Sequence, residues 1–367
     1  MKTTRLILVG GFLGAGKTTL LWEAARRIMD NGKRVGLITN DQAPDLVDTV
    51  ILSRNEVKVA EVSGSCFCCN FNGLIKAMQQ VRDDANADVI IAEPVGSCTD
   101  LSATIVQPLK ENMKSELSVS PLSVMADPAH LTDILNGGTA GLHPSAAYIF
   151  RKQLEESDII LISKADLLNA NDLVLLKEKV KLNFPDTDVM TVSAVTGEGI
   201  EEWLQEVMNR TDAGQRLAEV DYDVYAEGEA VLGWLNSNIE LNGGPTDWDT
   251  YALRLMHELS LQFDSLKSSV GHVKIILESG ENFLTGNLTG KNNTLNFRGS
   301  AGTSTKARLT LNARVEMSPE ALEKMVRETL ASATKGNLNL KIVALRCLSP
   351  GRPNPTYRFN RIVPVGK

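Results

Sequence analysis

An apolar run, Leu6-Ile7-Leu8-Val9, leads into Gly11-Phe12-Leu13-Gly14-Ala15-Gly16-Lys17-Thr18, and Thr19-Leu20-Leu21-Trp22-Glu23-Ala24-Ala25 then begins a helix. A strand, the spacing G-x-x-x-x-G-K-[ST] and a helix, in that order, make a phosphate-binding loop. Glycines let backbone N–H groups converge on phosphate oxygens where a side chain would block the approach. The helix N-terminus adds partial positive charge. Lys17 supplies a mobile cation, and the Thr18 hydroxyl is placed to ligate Mg2+. A glycine-rich turn matching by chance would not also bring the flanking strand and helix. The pattern implies a nucleoside triphosphate site built from Gly11, Gly14, Ala15, Gly16, Lys17, Thr18 and Thr19.

The chain has 367 residues, long enough for two domains, and 43% of them are hydrophobic, enough for a large core. With 38 basic and 45 acidic residues the net charge is −7, which argues against nucleic acid or an anionic membrane surface as partner. No apolar stretch approaches the ~20 residues that span a bilayer. The basic start, Met1-Lys2-Thr3-Thr4-Arg5, resembles a signal peptide's first part, but the apolar run behind it belongs to the phosphate loop. The expectation is no export signal and a cytoplasmic location.

Over the first ~210 residues short apolar runs alternate with helical patterns, the signature of a parallel sheet covered on both faces. Strands are expected at 5–9, 34–39, 57–62, 88–92, 121–126, 158–162 and 188–192. Helices are expected at 17–30, 72–84, 99–113, 145–155, 171–182 and 199–209. Beyond Arg210-Thr211-Asp212-Ala213-Gly214 the texture changes. Asp221–Ala230 reads as strand and Trp248–Leu266 as helix. Four strands follow, near Gly271–Leu277, Glu281–Leu288, Asn293–Gly299 and Lys306–Val315. Ser318-Pro319 opens a further helix, with Ser as cap and Pro at the first position, and Leu338–Leu345 is a last strand. The fold class expected is therefore α/β: a P-loop NTPase domain with a mainly parallel sheet over 1–212, followed by a smaller α+β domain over 221–367.

Three segments extend the nucleotide site. Val89-Ile90-Ile91-Ala92 ends in Glu93, with Gly96 three positions on, suiting an acid near Mg2+ or its water and an N–H near the γ-phosphate. Ile38-Thr39-Asn40-Asp41-Gln42 follows the second strand, where a switch segment should reach Mg2+ and the attacking water; Asp41 is the candidate there and Asp48 a weaker one. Ser163-Lys164-Ala165-Asp166 resembles the N-K-x-D base-recognition motif, whose Asp accepts two hydrogen bonds from guanine that adenine cannot offer. Ser193-Ala194 resembles the loop that backs the base. Together they point to GTP rather than ATP, although Ser163 stands where Asn braces that loop. Lys17, Glu93 and Asp41 are the candidate catalytic residues.

Ser63-Gly64-Ser65-Cys66-Phe67-Cys68-Cys69-Asn70 follows the third strand and opens a helix; three of the chain's five cysteines stand within four positions. Thiolates at Cys66, Cys68 and Cys69 can converge on one ion, and Zn2+ or Co2+ suits such a soft, near-tetrahedral set. A helix start also lowers thiol pKa. Glu61, Cys98, water or a client residue are all open as a fourth ligand, while Cys98 and Cys347, which stand alone, read as packing residues. His130, His143, His257 and His272 are scattered and show no metal-binding spacing.

Gly10-Gly11-Phe12-Leu13-Gly14-Ala15-Gly16-Lys17-Thr18-Thr19, Cys66-Phe67-Cys68-Cys69, Glu93-x-x-Gly96 and Ser163-Lys164-Ala165-Asp166 together resemble the CobW family of metal-handling GTPases, in that family's order. Thr39-Asn40-Asp41 also looks like the related nickel-insertion GTPases of urease and hydrogenase. The family shows G-G-F-L-G-(A/S)-G-K-T-T, G-C-x-C-C, E-x-x-G and N-K-x-D. Here Ser65 replaces the cluster's Gly, Ser163 the Asn, Pro94 follows Glu93, and no histidine-rich stretch is present, as in a divergent branch. The resemblance covers about 1–212. It implies GTP hydrolysis coupled to delivery of a transition metal (Zn2+, Co2+ or Ni2+) or a metal cofactor to a client metalloprotein or corrinoid protein. GTP and Mg2+ would bind at Gly14, Gly16, Lys17 and Thr18, and Glu93, directly or through water, would complete the Mg2+ shell. An ATP-dependent activator of a redox or corrinoid enzyme, and a nucleotide-gated metal-sensing module with negligible turnover, are the alternatives. A homodimer is left open.

Overall fold

Thr4–Gly11 forms strand β1, and all eight residues are buried, as a continuous apolar run requires when helices cover both faces of a sheet. Each of Leu6, Ile7, Leu8 and Val9 is at most 1% exposed and contributes roughly 1.5–3 kcal/mol of apolar burial. The computed structural model describes residues 3–40, 47, 57–289, 294–334, 336 and 338–364. The chain divides into two compact units: Met1–Gln42, Leu52–Gly228 and Arg352–Lys367 in the first, Ala43–Ile51 and Glu229–Gly351 in the second.

In the first unit, α1 (Lys17–Asp30), β2 (Val35–Asn40), β3 (Lys58–Val62), α2 (Phe71–Ala85) and β4 (Val89–Glu93) follow β1. After them come a π-helical turn (Ser102–Val106) running into α3 (Gln107–Asn112), β5 (Leu117–Val119), β6 (Ser123–Ala126), α4 (Pro128–Leu135), α5 (Pro144–Glu156), β7 (Ile159–Ile162), α6 (Ala170–Asn183), β8 (Asp188–Thr191), α7 (Ile200–Asn209) and α8 (Tyr222–Ala230). The sheet order is β3-β2-β4-β1-β6-β7-β8, with β5 also against β1. Its pairs are all parallel. Loops leaving the carboxyl ends of its strands therefore share one edge, and the expected nucleotide and thiol segments all leave from that edge.

The second unit is an antiparallel sheet with helices packed on it. It comprises β9 (Leu232–Asp247), α9 (Trp248–Ser265), β10 (Val270–Ser279), β11 (Asn282–Thr289), β12 (Thr294–Ser300), β13 (Thr303–Glu316), α10 (Pro319–Ala333) and β14 (Leu338–Leu348), in the sheet order β12-β11-β10-β13-β9-β14. Trp248, Tyr251, Leu255, Leu259 and Phe263 of α9 and Leu322, Val326 and Leu330 of α10 share one core with the inward residues of the sheet.

Strand β5 and helix α4 were not expected from the sequence, and two further segments differ in kind. Asp221–Ala230 reads as strand because of its Val and Tyr residues, yet from Tyr222 it is helix. The Asp221 carboxylate accepts from the Asp223 and Val224 N–H groups at 2.8 and 3.3 Å, and the i, i+3 pair Tyr222 and Tyr225 turns toward one side. Strand β9 carries Asn236, Ser237 and Asn238 where apolar residues would announce a strand. Their partners lie across the sheet: the buried Arg314 guanidinium donates to Leu235 O and Asn236 Oδ1 at 3.1 and 2.9 Å and lies 4.3 Å over the Trp234 ring. Thr310 donates to Asn238 Oδ1 at 2.8 Å.

Candidate nucleotide and metal site

The phosphate loop joins β1 to α1. Gly11, at φ +129, pairs with β6 so closely that a Cβ there would stand 2.3 Å from Met125 O. Gly16 is left-handed, and no side chain caps the first turn of α1. The start of α1 thus turns the positive end of the helix dipole toward the phosphate loop. Lys17, only 6% exposed, donates to Gly11 O at 2.8 Å and Phe12 O at 3.3 Å, and its Nζ is 3.8 Å from Glu93 Oε1. Glu93, the last residue of β4, accepts from the Thr18 hydroxyl at 3.2 Å. Two strands that are neighbours in the sheet thus bring together Lys17, Thr18 and Glu93, a cation, a hydroxyl and a carboxylate. A Cβ on Gly96 would lie 2.7 Å from Leu13 and 3.2 Å from Lys17 Nζ. Gly14 and Gly16 have positive φ, and Ala15 is buried while Thr18 and Thr19 are half-buried. Asp41 and Asp48 lie outside the described residues.

At the ends of β7 and β8 the two base-motif segments lie side by side, joined by the Ala165 N–H to Val192 O at 3.2 Å. Ser163 is buried and donates its hydroxyl to Ala126 O at 3.1 Å, bracing the loop to β6 with a shorter arm than Asn has. Lys164 is left-handed, and its ammonium meets Asp127 at 2.8 Å. Burial raises the Asp127 carboxyl, but Lys164 outweighs it and the net shift is below the ordinary value. Asp127, which also caps α4 through the Ala129 N–H, is a positioning residue that no motif announces. Asp166 is exposed and Ala194 half-buried. Ser193 is fully buried and accepts from the Val195 and Thr196 N–H groups at 3.3 and 3.1 Å, so its hydroxyl shapes its own loop.

The thiols stand on the turn between β3 and α2. Cys66 and Cys68 sulfurs are 2.9 Å apart, those of Cys68 and Cys69 3.8 Å, and all three lie within 4.8 Å of one another. Among the described residues no other His, Cys, Asp and Glu side chains form such a group. In a tetrahedral thiolate site with metal–sulfur bonds of about 2.3 Å, sulfurs sit about 3.8 Å apart, so the set fits Zn2+ or Co2+ after a small opening of the Cys66–Cys68 pair. Hydrogen bonds from Cys68, then Cys69 and Cys98, hold the Cys66 thiol well below its ordinary value against the effect of burial. Its hydrogen bond to Cys66 pushes Cys68 up, and Cys69, bonded first to Cys66, is pushed up to about 11. A cation entering the cluster displaces the thiol protons that remain.

Two elements that sequence reading did not find hold this turn. Asn40, at the end of β2, donates to Val62 O and Ser65 O, both at 2.8 Å, and accepts from the Phe67 N–H at 2.8 Å. Asn40→Ala would leave those buried backbone groups unpaired. We expect a loss of about 2–4 kcal/mol from the unfolding of the first unit and roughly a 10- to 100-fold weaker Co2+ affinity, read by denaturant titration and metal competition. Unchanged values for both would remove Asn40 from this role. The strap 352–364 belongs to the same unit: the Thr356 N–H donates to Cys68 O at 2.8 Å and the Asn354 N–H to Cys69 Sγ at 3.2 Å. Cys98, which the sequence leaves open as a fourth ligand and otherwise reads as packing, is fully buried, and its carbonyl accepts from the Gln153 amide at 2.7 Å.

The nucleotide-binding domain of the CobW/HypB/UreG family matches residues 5–190, half of the chain. The zinc chaperone CobW of Pseudomonas aeruginosa is 26% identical over 224 residues, 52% of this chain and 56% of that protein. Zinc-regulated GTPase metalloprotein activator 1 of Schizosaccharomyces pombe is 27% identical over 188 residues, 48% of this chain and 43% of that protein. The chain thus spans about half the length of the curated relatives it matches. Among solved structures, HypB from Helicobacter pylori in complex with nickel is 15% identical over 60% of this chain and 92% of that one, at a TM-score of 0.42, a likeness too slight to add to the sheet order described above. Through its nucleotide-binding domain the chain belongs to the CobW/HypB/UreG family.

Proposed function

We propose that this protein is a cytoplasmic GTP-binding and GTP-hydrolysing metallochaperone that carries Zn2+, Co2+ or Ni2+, or a metal cofactor, to a client metalloprotein. One observation carries the reading: the triad of thiols and the Lys17–Thr18–Glu93 cluster leave the same sheet edge. Strand β2 bridges them, pairing β3 on one side and β4 on the other, with Asn40 at its tip holding the thiol turn. In this reading the loop N–H groups and Lys17 hold the β- and γ-phosphates, Thr18 and Glu93 serve Mg2+ and its water, and Asp166 selects guanine with Lys164 and Ala194 flanking the base. Catalysis by such a site is positioning and charge stabilisation, so unassisted turnover is slow. The names of the relatives, zinc chaperone and zinc-regulated activator, agree with the thiol chemistry.

The test is reciprocity. Co2+ affinity is measured with GDP and with a non-hydrolysable GTP analogue, and ATP analogues run in parallel. We expect a 5- to 150-fold difference between the GDP and GTP-analogue states, the range of ordinary coupling energies, and little response to ATP. Equal metal affinity in both states would separate the two sites. A response to ATP equal to that for GTP would favour the ATP-dependent activator.

A further inference from the structure

Of the strap residues 352–364 only Pro353 and Val363 are buried, so hydrogen bonds and ion pairs do most to hold the segment down. Over the thiols, the Thr356 N–H and hydroxyl donate to Cys68 O and Cys69 O at 2.8 and 3.2 Å. The Asn354 N–H donates to Cys69 Sγ at 3.2 Å. Cys69 is the half-exposed member of the three, while Cys66 and Cys68 are 3% and 2% exposed. An ion reaching or leaving the buried pair therefore passes Cys69 and the segment lying on it. Further along, the strap is fixed to the loop after β4. Arg358 donates to Asp100 Oδ2 at 2.6 Å, where the Tyr222 hydroxyl also donates at 2.7 Å, and the Phe359 N–H donates to Ala103 O at 3.0 Å. Asp100 is fully buried and left-handed at φ +64, and among the described residues its Oδ1 has no hydrogen-bond partner. A carboxylate so placed is a costly anchor, which a small displacement of its loop can release. That loop also meets the phosphate site: Gly96, four residues before Asp100, packs against Lys17, and the Gln153 amide joins Gly96 O to Cys98 O at 2.9 and 2.7 Å.

We propose that the strap is a latch on the metal site: the Asn354 N–H and Arg358 are positioning groups that hold Cys69 in place, and a shift of the Glu93–Asp100 loop with nucleotide state releases them. The proposal rests on the reading of Cys66, Cys68 and Cys69 as the metal-binding group. With an ion bound, the Cys69 sulfur is a thiolate, and an N–H bond to a charged acceptor is the stronger kind. The same bond fixes the direction from which the sulfur meets the ion, as the outer partners of metal ligands do. Parting Arg358 from Asp100 takes away the strap's inner anchor. Cys69 can then swing aside, and the ion has a way out.

The full-length chain is loaded with Co2+, and its release to excess chelator is timed with GDP and with a non-hydrolysable GTP analogue. Asn354→Ala keeps the N–H and should release Co2+ as wild type does. Asn354→Pro, between two prolines, deletes that donor, and Arg358→Met deletes the anchor. Each should release Co2+ about 10- to 100-fold faster, the effect of losing an outer partner of a metal ligand. Arg358→Met should also lose the difference between the two nucleotide states. In the metal-free chain both variants should speed alkylation of Cys69 by iodoacetamide, read by mass spectrometry. Release and alkylation equal to wild type in both would overturn the latch and leave the metal site standing. Release from wild type that is the same with GDP and the GTP analogue would overturn its control by the Glu93–Asp100 loop. A wild-type chain that holds no Co2+ would overturn the metal reading and the latch with it. Should Arg358→Met fail to fold, the contrast between the two Asn354 variants decides.

Discussion

A Lys17→Ala chain is expected to hydrolyse GTP about 100- to 1,000-fold more slowly than wild type, the loss that follows removal of one preorganised donor to developing charge. The ammonium is already in place: it is buried, donates to two carbonyls of the phosphate loop and faces Glu93. When phosphate arrives it has only to exchange carbonyl oxygens for phosphate oxygens, so little reorganisation opposes its action. Lys17→Arg should fail as well, since a planar guanidinium does not reproduce the compact ammonium that donates to Gly11 O and Phe12 O. Single-turnover GTP hydrolysis, with thermal unfolding as a fold check, reads both variants. Turnover within a factor of three of wild type in Lys17→Ala would remove the phosphate loop from the chemistry.

The Cys66/Cys68/Cys69→Ser chain should lose essentially all transition-metal binding, from about one ion per chain to background, because thiolate coordination supplies roughly 10 kcal/mol or more to such sites and hydroxyls do not replace it. The same change should abolish any response of GTP turnover to added Zn2+. Equilibrium dialysis against Zn2+ and Co2+ is the measurement, and an undiminished ion count would dismiss the cluster as a carrier. The serines should be tolerated in the fold more easily than alanines, since Cys66 and Cys68 sit in a hydrogen-bonded nest that a hydroxyl can join.

Local features were legible in the amino-acid order. The phosphate loop, the strand ending at Glu93 and the three-thiol turn each lie within a few residues, and periodicity placed the strands of the first sheet to within two residues or so, except the three-residue β5, which it missed. What escaped was contact across long stretches of chain. Asn40 reads as a switch-loop residue until Phe67, 27 positions on, is seen donating to it. The approach of Asn354 to Cys69 spans 285 positions and leaves no trace in either segment. Strand β9 was hidden by its own polar residues, whose partners lie on the neighbouring strands β13 and β14. Helix α8 was hidden because its β-formers serve as anchors: Tyr225 is buried, and the Tyr222 hydroxyl donates to Asp100.

The strap over the thiol turn also governs how this molecule can be divided. Because Arg352–Lys367 belongs to the unit that opens the chain, the second unit is an insertion, not an appendage. A single cut near position 212 or 228 discards the Thr356 and Asn354 donors, strips Phe71 of its edge-on Tyr357 neighbour and frees Asp100 from Arg358. Excision of 229–351 with the flanks rejoined by a short linker would preserve them. A truncated chain that bound metal poorly would report on the missing clasp, not on any contribution of the excised sheet to the ion.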